Sequence, residues 1–237
     1  MDNRNLPSAR GLRAVFLDFY GTVVAEDNPV IGRISTRIAA ASPQEPAPRE
    51  IWSFWYQEFL RLCRTSYGLA FRLERALEME SMQRTLDHFA APLDAEEMCQ
   101  GLFDYWARPD IFQESPEAIE ACPLTVCLVS NVDNADLASA LAHAKLSFEF
   151  VVTSEDVRGY KPRPEMFARA LSLLGVRPDE ALHVGDSLSS DVAGAKAAGI
   201  AAVWINRDGR NIPPGGQKPD YVWTDLSGLG QLVREED

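Results

Sequence analysis

The chain of 237 residues has little positive charge, few cysteines and no long apolar run. Lys and Arg number 23 against 35 Asp and Glu, a formal net charge of −12. Such a chain has no general attraction for polyanions, which excludes nucleic acid and an acidic membrane surface as broad partners. A small phosphorylated ligand is still allowed, because it needs only a local positive site. Lysine is confined to Lys145, Lys161, Lys196 and Lys218, so a lysine inside a motif carries weight. The four cysteines, Cys63, Cys99, Cys122 and Cys127, lack the C-x-x-C spacing of a zinc site and suggest no disulfide framework. Cys122 and Cys127, in or beside an apolar run, are expected to be small buried hydrophobes. Residues 1–10 read as a disordered polar tail without the apolar segment of a signal peptide. No apolar stretch approaches a membrane span, and the expected location is the cytoplasm.

What is present is an ordinary globular composition, 46% hydrophobic and 24% charged, in a chain long enough for a real core. The run from Val15 to Phe19 reads as a buried strand that delivers Asp18 to its carboxyl end, with Gly21 turning the backbone away. From Ala25 to Ile111 helix-period apolar spacing dominates, as in Ile51, Trp55, Phe59 and Leu62. The Pro-rich stretch 42–48 separates the first helix from the second. About four helices are expected there, and the aromatic residues Trp52, Phe54, Trp55, Tyr56 and Phe59 are read mainly as their core rather than as a pocket lining.

From Leu124 onward strands and helices alternate. Strands are expected at 124–129, 148–152, 181–184, 200–205 and 221–222, and helices at 135–144, 164–174, 189–198 and 226–233. This predicts an α/β fold: a doubly wound parallel sheet built from residues 11–24 and 112–237, with an all-helical segment, 25–111, inserted after the first strand.

In a parallel sheet the carboxyl ends of all strands share one edge, where ligands bind. That edge collects Asp18, Tyr20 and Thr22 from the first strand, Ser130 and Asn131 from the second, Lys161 from the connection after the third, and Asp186 and Asp191 from the fourth. Three carboxylates in one crevice repel unless a cation accompanies them, and hard oxygen ligands of this kind suit Mg²⁺. With a metal there, Asp18 is aimed as a nucleophile, and Ser130, Thr22 and Lys161 can hold a phosphoryl group and neutralise its charge. His183 is read as a core histidine, and His88 and His143 as helix-surface residues. The arginines Arg33, Arg37, Arg61, Arg64, Arg72 and Arg75 are read as solvated helix faces.

These motifs resemble the haloacid dehalogenase superfamily of hydrolases, in the branch with a helical cap after the first strand. The resemblance rests on Asp18-Phe19-Tyr20-Gly21-Thr22, Ser130-Asn131, Lys161-Pro162 and Gly185-Asp186-Ser187 with Asp191, in that order. It implies a covalent intermediate on Asp18, with Lys161 and Ser130 holding the transferred group. In the family's phosphatases Mg²⁺ is ligated by positions matching Asp18, the Tyr20 backbone carbonyl and Asp186, with Asp191 supporting. The departure is Tyr20, where those phosphatases usually have a second Asp that protonates the leaving alcohol and later activates water. A phenol with a pKa of about 10 is a poor substitute. Haloacid dehalogenases often carry Tyr at this position, because halide leaves without a proton, but they typically lose the acidic metal ligand that Asp186 would supply. The expectation is a Mg²⁺-dependent phosphatase of a small phosphorylated metabolite. A metal-independent 2-haloacid dehalogenase and a catalytically weak phospho-ligand binder are the alternatives.

Overall fold

The computed structural model describes residues 11–232, so the expected disordered tail at 1–10 lies outside the described residues. Six strands form one all-parallel sheet: β1 (Ala14–Leu17), β2 (Thr125–Ser130), β3 (Phe150–Thr153), β4 (Ala181–Gly185), β5 (Ala201–Ile205) and β6 (Tyr221–Trp223), in the order β3-β2-β1-β4-β5-β6. The chain winds outward from β1 in both directions, so β1 and β4 lie side by side where the winding reverses. Alternate residues of each strand point to opposite faces. Val15, Leu17, Leu182 and Val184 belong to one buried cluster, and Ala14, Phe16, Cys127 and Val129 to the other. Both faces are covered, which is why the strands read as continuous apolar runs.

The connecting helices are α5 (Ser115–Glu120), α6 (Asn134–Ala144), α7 (Ser154–Val157), α8 (Glu165–Leu174) and α9 (Ala193–Ala197). Two expected helices differ. The stretch expected as one helix, 189–198, opens with a π-helical turn, Leu188–Val192, before α9 begins. The final one is a 3₁₀ segment, Leu226–Gln231, whose Gly228 packs so closely on Trp223 that a Cβ would lie 2.8 Å from the indole. Residue 233 of that expected helix is outside the described residues.

Between β1 and α5 stand four helices, α1 (Asn28–Ala41), α2 (Pro48–Thr65), α3 (Glu74–His88) and α4 (Ala95–Ala107), with a 3₁₀ turn at Gly68–Ala70. They enclose their own core around Ile38, Ile51, Met82, Leu86 and Leu102. The chain leaves and re-enters the sheet layer at one place: Val24 bridges to Ile111, and the Ala25 N–H donates to the Asp110 carbonyl at 2.7 Å. The α3 end is fixed to the sheet edge. Its first two N–H groups, on Glu74 and Arg75, donate to the Asp133 carboxylate at 2.7 and 3.1 Å, so a side chain from the β2–α6 loop caps a helix of the insertion. None of the described helices is long and apolar enough to cross a membrane.

Candidate active site

Asp18 follows the last residue of β1, held in the ladder by its N–H to the Val184 carbonyl at 2.9 Å. The residue is 6% exposed, and its carboxylate accepts from three side chains. Lys161 Nζ and Ser130 Oγ donate to Oδ1 at 2.6 and 3.3 Å, and Thr22 Oγ1 donates to Oδ2 at 3.1 Å. Burial pushes the Asp18 carboxyl up, with Lys161 pulling against it.

The Lys161 ammonium uses its three protons on Asp18 Oδ1, Asp191 Oδ1 at 2.6 Å and the Val129 carbonyl at 2.9 Å. Burial alone would lower its pKa, but Asp18 and Asp191 outweigh that and hold it above the usual lysine range. Asn131 does not reach the carboxylates. Its Oδ1 accepts the Lys161 backbone N–H at 2.7 Å, so it fixes the lysine loop while its side chain also lines the cavity above. Asp191 spends both oxygens on three donors: Lys161 Nζ, the His183 Nε2 position at 2.9 Å, and the Ser187 N–H at 3.0 Å. Burial opposes its charge, but Lys161 and His183 keep its carboxyl below the ordinary range. His183 is therefore core by burial and also tied to the site through Asp191.

Asp186 approaches from β4. Burial first, then Asp191 and Asp18, push its carboxyl well above the usual carboxylate range. Its closeness to β1 depends on Gly21, which sits at φ +81° and where a Cβ would lie 2.6 Å from Asp186 Cγ. Trp204 Nε1 and Arg210 both donate to the Asp186 carbonyl, at 2.7 and 2.9 Å, and so set its backbone. Sequence reasoning passed over Trp204, Arg210 and the His183–Asp191 contact. An isolated Trp or Arg near the chain's end has no motif, and only the fold brings it to this edge.

Oxygens of Asp18, Asp186 and Asp191 lie within 4.8 Å of one another. Three carboxylates against one ammonium fit a divalent cation by charge and by donor type.

Tyr20 is set differently from its neighbours. Its hydroxyl donates to the Trp106 carbonyl on α4 at 2.5 Å, and burial raises the phenol far above its ordinary pKa. The side chain joins the two layers and has no proton to exchange near pH 7.

Above this edge lies a cavity of about 580 Å³ between the sheet layer and the helical insertion. Trp52, Trp55, Tyr56 and Phe59 line it, the lesser of their two expected roles, while Trp55 and Phe59 also pack on the helical cores and Phe54 stacks on His88. None of the six arginines read as solvated faces lines it.

An open parallel sheet with three buried carboxylates and a buried lysine at its switch point is the arrangement of an α/β enzyme site. Residues 12–199 match the family model for haloacid dehalogenase-like hydrolases, and the chain belongs to that family. It is 26% identical over 228 residues to the (S)-2-haloacid dehalogenase of Pseudomonas sp. strain YL, covering 93% of this chain and 94% of that protein. It is 34% identical over 132 residues to the phosphoserine phosphatase of Thermus thermophilus, about half of each chain (52% and 52%). The L-2-haloacid dehalogenase of Xanthobacter autotrophicus shares the fold with a TM-score of 0.70 at 22% identity, covering 93% of this chain and 98% of that one.

Proposed function

We propose that this chain is a Mg²⁺-dependent phosphatase that hydrolyses a small phosphorylated metabolite through an aspartyl phosphate on Asp18. The observation that carries the reading is Asp186, a buried carboxylate pressed against the Gly21 backbone beside Asp18. Asp18, Asp186 and the Tyr20 backbone carbonyl would hold the ion, with Asp191 in support. The ion supplies positive charge for the carboxylates and for the phosphoryl oxygens.

An Asp18 carboxylate oxygen forms a bond to phosphorus as the ester P–O bond breaks, and the leaving oxygen carries off that electron pair. Lys161 and Ser130, already on Asp18, are placed to take phosphoryl oxygens and their developing charge, while Thr22 holds the second carboxylate oxygen. Water then attacks phosphorus, inorganic phosphate departs and the Asp18 carboxylate is restored. With the Tyr20 hydroxyl committed to Trp106, the leaving oxygen takes its proton from water, so turnover rises with the acidity of the leaving alcohol.

The test is a phosphomonoester panel with and without Mg²⁺, with Asp18→Asn as the blank. Phosphate release should vanish in EDTA and return with Mg²⁺; metal-independent release overturns the proposal. Tyr20 and the full-length similarity to a dehalogenase favour a second reading, displacement of halide from a 2-haloacid by Asp18. That reading predicts halide release in EDTA. It conflicts with a cavity whose lining holds five carboxylates and one arginine, a poor host for a substrate carboxylate.

A further inference from the structure

The side of the cavity away from Asp18 is built from acids and aromatic rings. Asp27, Glu74 and Glu78 line it, together with Trp52, Trp55 and Tyr56. Glu78 is 5% exposed, and among the described residues no arginine or lysine pairs with it. It lies beside the Trp55 indole N–H, which donates to Ser81 Oγ at 3.1 Å. Among the described residues no donor reaches the Glu74 carboxyl, and the charges that act most strongly on it are the carboxylates of Asp133, Glu78 and Asp27. Asp27 accepts the Trp106 indole N–H at 2.8 Å and has no cationic partner among the described residues. The one basic residue of the lining among the described residues, Arg210, is engaged at Asp186. Glu78 is buried and Asp27 and Glu74 are half-buried; acids withdrawn from water without a cation are costly, and a wall of electron-rich rings beside them attracts organic cations in particular.

We infer that the insertion side of this cavity is a binding site for an organic ammonium group, held by Glu74 and Glu78 and enclosed by Trp52, Trp55 and Tyr56. Resting on the phosphatase reading, the substrate class is then the aminoalkyl phosphate: phosphoryl end at Asp18, ammonium end between α2 and α3. A metal ion is the poorer occupant, because half of the wall is indole and phenol rather than oxygen.

Binding is measured first, on the Asp18→Asn protein, through the fluorescence of the cavity tryptophans. Butylammonium is titrated against its neutral match 1-butanol and its anionic match butyrate. Butylammonium should bind, the other two should bind at least about tenfold more weakly, and Glu74→Gln/Glu78→Gln should cost butylammonium about tenfold or more. Equal affinity for 1-butanol, indifference to the Gln pair, or displacement of butylammonium by millimolar Mg²⁺ or Ca²⁺ overturns the inference. Should the double variant misfold by circular dichroism, Glu78→Gln alone provides the same comparison.

Turnover is measured second. The KM for aminobutyl phosphate should fall well below that for butyl phosphate, and the Gln pair should erase the gap. Phosphate release with no ammonium preference overturns the inference and leaves the phosphatase reading standing. Butylammonium binding without any phosphatase activity does the reverse.

Discussion

Tyr20 and Glu78 show how burial and partners set a side chain's role. Tyr20 has the sequence position of an acid–base residue, but its hydroxyl is spent on the Trp106 carbonyl. Tyr20→Phe should leave turnover within about twofold, since proton transfer by a positioned group is worth far more, about 10²-fold or above. It should also lower stability by about 1 kcal/mol for one buried hydrogen bond, read in a denaturant melt. Glu78 is pushed up to about 8 by burial first, then by Asp27. Because the folded state binds this proton more tightly than the unfolded chain, Glu78's contribution is fully present below the unfolded value of about 4.5. It is lost as pH rises through about 8. Glu78→Gln should therefore be more stable than the parent above that pH, on the order of a few kcal/mol, and lose that advantage in acid. Urea midpoints at several pH values check the crossing.

The loop after β1 and the strand β4 meet through a glycine. Gly21 at φ +81° lets the backbone come against Asp186, so the two acids that would share a metal are brought together by a missing side chain. Gly21→Ala should cost about 1–2 kcal/mol from the left-handed backbone alone. The added methyl must also move Asp186, and turnover should fall by more than about tenfold, beyond what a conformational penalty of that size predicts for the folded fraction. Thermal melts and kcat on one protein preparation separate the two effects. The same logic holds on β4, where a Cβ at Gly185 would lie 2.3 Å from Asp191 Cγ.

For the whole molecule, the helical insertion and the sheet are joined by Tyr20 to Trp106, Asp133 to the start of α3, and Arg75 to Asp136. The cavity lies between these contacts, so its contents act on both layers. An ion that binds only the folded chain stabilises it by mass action. Millimolar Mg²⁺ should raise the melting temperature by a few degrees if it exceeds its Kd about a hundredfold. Asp186→Asn should remove that rise while keeping the fold, which scanning calorimetry reads without reference to activity.

The strand positions, to within about two residues, the helical interruption after β1 and the convergence of Asp18, Ser130, Lys161, Asp186 and Asp191 were legible in the sequence. Buried parallel strands must be apolar runs, and their carboxyl ends must share an edge. What only the tertiary structure decided is the partner of each polar group. The Tyr20 hydroxyl meets Trp106, Asn131 holds a loop, His183 meets Asp191, and Glu74 and Glu78 on a helix of the insertion face the aromatics of α2 across one cavity. Periodicity says which face of a helix is apolar, but not what stands opposite its acids. That depends on how the helical insertion packs on the sheet layer, which is set by contacts between residues far apart in the chain.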